Sequence, residues 1–154
     1  MATDNGVQVE NTEEKEEVHI PETWEALVEG TSVLTGLPEP KPAREFTFAD
    51  ACAFNEARTE LLAVWSAQER RRLDADAGTA QTAVSMVKER NETVGRMLGF
   101  LKSIVPDPAG VDAWTTGMDP DIMFLAFLNV VAYYADQLGK ASASKASSTG
   151  TKQN

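Results

Sequence analysis

The stretch from Asp119 to Lys140, DPDIMFLAFLNVVAYYADQLGK, constrains this chain more than any other. Ile122 to Tyr134 is apolar at every position except Asn129. A helix apolar on all sides is expected to be buried on all sides. Its start is marked three times over. Asp119 caps the first turn, Pro120 suits the first helical position, and Asp121 meets the positive end of the dipole. The sequence predicts its end at Gly139, a residue suited to a left-handed cap, with Lys140 placed for the negative end. The apolar run is 13 residues, whereas a membrane span needs about 20. The expectation is therefore a central helix of a soluble domain or oligomer, with no membrane partner.

Two further long helices are predicted around it. Thr47, with Asp50 three residues on, forms a capping pair before a helix over about 48–73. Its apolar centre is Leu61, Leu62, Val64 and Trp65, with Phe48 and Phe54 along one edge. Asp74 to Gly78 marks a break. The next helix, about 79–105, carries Ala77, Ala80, Val84, Val87, Asn91, Val94, Leu98, Leu101 and Val105 at alternating intervals of 3 and 4. That is a heptad seam, the pattern of helices packing at a shallow angle. Its partner is either another helix of the same chain or a helix of another molecule. Asn91, the one polar member, is of the kind that fixes register when buried. Pro106 and Pro108 end this helix, and a loop with at most one turn around Val111 to Trp114 leads to the helix over 119–138.

The fold class read from these patterns is all-α, a small bundle of three main helices with a short N-terminal helix. The organisation is an acidic arm over 1–22, a short helix and Pro-rich linker over 23–46, a helical domain over 47–138, and a polar tail over 139–154. In the second segment Thr23 caps a helix with Trp24, Leu27 and Val28 on one face. Pro38, Pro40 and Pro42 then predict an extended linker. The arm and the tail, with little to bury, read as disordered.

Charge and composition exclude several functions. The net charge of −10 disfavours general nucleic-acid binding, which needs a basic surface. Arg70, Arg71 and Arg72 fan around a helix end rather than forming a stripe. One cysteine, Cys52, permits no intramolecular disulfide, and the acidic N-terminus lacks the blocks of a secretion signal, as expected in a reducing cytoplasm. The single histidine, His19, leaves no Cys/His zinc set and no persuasive nucleophilic dyad. No glycine pattern matches a phosphate or dinucleotide loop. The chain is read as a non-enzyme with no catalytic, cofactor-binding or metal-binding residues and no cofactor.

An acidic arm, a Pro-rich segment, an all-α body with a very apolar last helix and a short polar tail together resemble the tail assembly chaperones of long-tailed, siphovirus-type bacteriophages. One local feature adds to the resemblance. Leu138, Gly139 and Lys140 can be encoded as CUG GGA AAG, which contains the slippery heptamer G GGA AAG. In that family the short chaperone ends soon after a programmed −1 frameshift site, and a longer form is made from the shifted frame. The resemblance implies a non-enzymatic protein of the host cytoplasm. It would bind the tape measure protein, keep it soluble during virion assembly, and help recruit tail tube protein. It would also associate with its own copies or with its frameshifted long form. The candidate partner-binding residues, chosen for apolarity, are Val84, Val87, Val94, Leu98 and Leu101 on the seam, and Phe124, Phe127, Tyr133 and Tyr134 on the last helix.

Two other classes remain open from sequence. One is a helical phage structural or scaffold protein that self-assembles through the same helices. The other is a small-ligand-binding helical bundle, for which Asn91 and Asn129 are the only polar residues offered by the apolar faces.

Overall fold

Helix starts are set by the residues just before them, and the computed structural model, which describes residues 19–73 and 80–151, bears this out at three points. Thr23 Oγ1 accepts from Ala26 N at 3.1 Å. Thr47 and Asp50 form a reciprocal pair, each side chain accepting from the other's backbone N–H at 3.0 Å. Asp119 Oδ1 accepts from Asp121 N at 2.9 Å. These caps open three of the five α-helices found among the described residues. The helices are α1 (Trp24–Gly30), α2 (Phe48–Leu73), α3 (Ala80–Ile104), α4 (Pro108–Thr115) and α5 (Pro120–Thr151), with two single 3₁₀ turns at Ser32–Leu34 and Ala43–Glu45. No strand occurs among them, so the fold is all-helical. The proposed break at Asp74 to Gly78, Ala77 of the seam, and the acidic arm up to Val18 lie outside the described residues.

Helices α2 and α3 form an antiparallel pair, joined by ion pairs between Arg96 and Glu60 and between Arg71 and Glu89. Gln68 bridges them, accepting from Arg90 Nη1 at 2.9 Å and donating to the carbonyl of Met86 at 3.1 Å. Helix α5 lies across both, parallel to α3 and antiparallel to α2. Arg90 of α3 meets Asp121 at 2.8 Å near its start, and Trp65 of α2 meets Phe124. Farther along, Phe54 meets both Phe100 and Tyr134, and Phe46 lies against Phe100 and Tyr134 in turn. The buried face of α3 is Thr93, Val94, Met97, Phe100, Leu101 and Ile104. That of α5 is Met123, Phe124, Ala126, Phe127, Val130, Val131, Tyr133 and Tyr134. The segment expected as a loop contains α4, whose Val111 and Trp114 are buried.

The Pro-rich segment is not a linker. Leu34, Leu37 and Ala43 are buried beside Trp24 and Leu27 of α1, and main-chain groups tie the segment down. Lys41 N donates to the carbonyl of Ile104 at 2.8 Å, satisfying an end of α3 that has no partner within the helix. The carbonyls of Val33 and Lys41 accept from Trp114 Nε1 and Tyr134 Oη, at 3.0 and 3.1 Å. Prolines remove donors, and the side chains of the body reach the acceptors that are left. Lys41 also pairs with Asp50 at 2.6 Å. The hydrogen bond from Lys41, reinforced by the Thr47 backbone, holds the Asp50 carboxyl below its ordinary value.

Three other expectations are corrected. First, α5 does not stop at Gly139 but runs to Thr151, so the segment from 139 to 151 is helical rather than disordered. Ala141, Ala143 and Ala146 favour helix, no proline intervenes, and one interior glycine costs only about 1 kcal/mol. Gly139 has nothing within 4 Å of an added Cβ and no left-handed backbone. Gly139→Ala is therefore expected to raise helix stability by about 0.5–1 kcal/mol, read by far-UV circular dichroism. A left-handed cap would respond with a loss. Second, α5 is not buried all round, since Ile122, Leu125, Asn129 and Ala132 form an exposed stripe. Third, Phe48 is exposed, because it precedes the turn at which α2 meets the core.

The longer α5 also changes the membrane argument. Residues Pro120–Ser147 are long and apolar enough by composition to cross a bilayer, and 44% of the most apolar window is buried inside the body.

Candidate partner-binding surface

The nine residues proposed from apolarity divide sharply by position. Val94, Leu101, Phe124, Phe127, Tyr133 and Tyr134 are buried and belong to the core. Tyr134 is fully enclosed. Its ring stacks on Phe46 at 5.3 Å and meets Tyr133 at 5.0 Å. Burial, ahead of Tyr133 and Glu39, pushes its phenol above the ordinary value, so it remains a donor. These six are therefore corrected from surface to core: a side chain already covered by its own chain is not available to a partner. Leu98 is half-buried against the same core. Only Val84 and Val87 remain open, at 58% and 44% exposure.

The seam on α3 thus has two halves. From Val94 onward it turns into the body and is covered. From Ala80 through Val84, Val87 and Asn91 it faces outward. Helix α5 begins at the level of Arg90, fixed by the pair with Asp121, and the seam before that level has no helix laid over it among the described residues. The side of α3 turned to α2 is a different one, bearing Met86, Glu89 and Thr93. The first turns of α5 add Ile122 and Leu125, 48% and 54% exposed. By sequence Ile122 and Leu125 read as core, because they lie in the apolar run from Ile122 to Tyr134. No local signal separates them, since the covering elements come from distant parts of the chain.

The two asparagines do not converge on a pocket. Asn91 is exposed on α3, whereas Asn129 donates to Thr31 Oγ1 at 3.0 Å and fastens α5 to the end of α1. Trp24, on the face that the sequence marks as apolar, is buried against Tyr133 and Tyr134. The arginine cluster ends α2 as expected, with Arg72 paired to Glu69 and Arg71 near Glu89. A groove of about 670 Å³ lies open between the far part of α5 and the Ala43–Glu45 turn, with Arg44, Lys140 and Lys145 on its walls. Lys140 there is held by Asp136 and Glu22.

No family model, no curated protein and no solved structure matches the chain.

Proposed function

We propose that the chain is a tail assembly chaperone of a long-tailed bacteriophage, acting without catalysis to bind the tape measure protein and keep it soluble during assembly. The observation that carries this reading is an acidic, all-helical body that fills its core yet leaves large apolar side chains uncovered: Val84 and Val87 on α3, Ile122 and Leu125 on α5, and Phe48, Leu62 and Leu73 on α2. Exposed apolar surface of this kind suits an amphipathic helix laid on it. The net charge of −10 would keep such a complex dispersed.

The position of Leu138, Gly139 and Lys140 supports a frameshifted long form. Among the described residues the buried side chains all precede Leu138, and Gly139 and Lys140 are exposed. A change of sequence after Lys140 would leave the core intact. Tail tube protein and further copies of the chain are the other partners this reading supplies.

Co-expression with the tape measure protein tests it directly. The chaperone should move that protein from the pellet to the soluble fraction and copurify with it. An unchanged pellet would sink the proposal, as would coding DNA lacking both a slip heptamer at codons 138–140 and an overlapping −1 frame.

A further inference from the structure

We infer that the outward half of the α3 seam, Ala80, Val84, Val87 and Asn91, is the docking face, and that its occupant is an amphipathic α-helix with a heptad apolar stripe flanked by carboxylates. This rests on the chaperone reading and names the part of the partner it recognises.

Three observations define the occupant. The first is spacing. The exposed residues continue, without a break in the intervals of 3 and 4, the row that packs into the body through Val94 and Leu101. A row at this period is complementary to another helix crossing at a shallow angle, and its knobs fit the holes of such a helix. The second is charge. The positions bordering the exposed row are Gln81 and Lys88 on one side and Ala83 and Arg90 on the other. None is acidic, in a chain with 24 acidic residues. Arg90 is already engaged by Asp121 and Gln68, so Lys88 contributes the more available cation. Glu89 points away, toward Arg71 of α2. A helix with Glu or Asp beside its apolar stripe meets the Lys88 cation on one border, the other being neutral where Arg90 is paired with Asp121, whereas a lysine-flanked helix meets repulsion from Lys88. The third is Asn91. An asparagine in such a row is satisfied when it meets a polar group opposite, so it selects one register of the incoming helix.

The probe is a synthetic peptide of about four heptads with Ile and Leu along the stripe, one Asn within it, and Glu at the flanking positions. Its own glutamates discourage self-association. A second peptide carries Lys at the flanks. Titration calorimetry with the full chain should show binding of the Glu peptide that weakens as salt is raised, and binding of the Lys peptide weaker by about tenfold or more. The double variant V84D/V87D should reduce binding of the Glu peptide by about tenfold or more. Both positions are exposed, so its circular dichroism and melting should match those of the parent.

Absence of binding, equal binding of the two peptides, or binding untouched by V84D/V87D would each overturn the assignment. So would a dimer in sedimentation equilibrium that V84D/V87D abolishes, since the occupant would then be a second copy. The tape measure protein separates the two claims. If V84D/V87D keeps it as soluble as the parent does, the chaperone reading stands and the face is wrong. If the peptides behave as expected but the parent leaves it insoluble, the face stands and the chaperone reading fails.

Discussion

Replacing Tyr134 with alanine is expected to cost about 3–5 kcal/mol of unfolding free energy, the range for removing a large aromatic side chain from a packed core. Tyr134 is 1% exposed and joins parts of the molecule distant in sequence. It stacks on Phe46, meets Phe54 of α2 and Trp24 of α1, and donates to the carbonyl of Lys41. Truncation therefore opens a cavity bordered by several elements that cannot all close in, and leaves a carbonyl without its partner. Tyr134→Phe should cost only about 1 kcal/mol, because it removes the hydrogen bond and keeps the ring. Urea unfolding of the three proteins, followed by tryptophan fluorescence, gives the comparison. Equal losses for the alanine and phenylalanine variants would mean that the hydroxyl, not the ring, holds the site.

A chain lacking residues 1–45 is expected to lose cooperative unfolding altogether. Read as arm and linker, those residues are dispensable. In the structure they supply Trp24, Leu27, Leu34, Leu37 and Ala43 to the core and cover Tyr133 and Tyr134. Their removal exposes the aromatic end of α5 and withdraws the N–H that satisfies Ile104. The expected product keeps much of its helical signal but binds a hydrophobic dye and melts without a sharp transition. A sharp transition near that of the full chain would show that the helices from Phe48 onward fold on their own.

How legible this was depends on whether the deciding contact is local. Caps are local, and Thr23, Thr47 with Asp50, and Asp119 with Pro120 were readable because side chain and helix start lie within three residues. The periodic rows of α3 and the apolar run of α5 marked those helices for the same reason. Coverage is not local. Leu34 and Leu37 look isolated among prolines, and only the convergence of α3, α4 and α5 makes them core. Val84 and Val94 have the same chemistry and the same row, yet one is exposed and the other buried, because α5 starts at Arg90 and not a turn or two earlier. Gly139 misled for a different reason. Its propensity marks a stop only where the backbone turns left-handed, and alanines beyond it outweigh one glycine.

The continuity of α5 through Gly139 has a geometric consequence. A sequence joined after Lys140 that keeps helical backbone does not hang from a string; it is aimed. Its bearing is inherited from Phe127 and Tyr134, which are locked in the body. Each residue inserted or deleted along the exposed stretch would swing whatever follows by about 100° around the axis and shift it by about 1.5 Å. Rotational phase, as much as composition, then becomes a property that the stretch from Gly139 to Thr151 transmits.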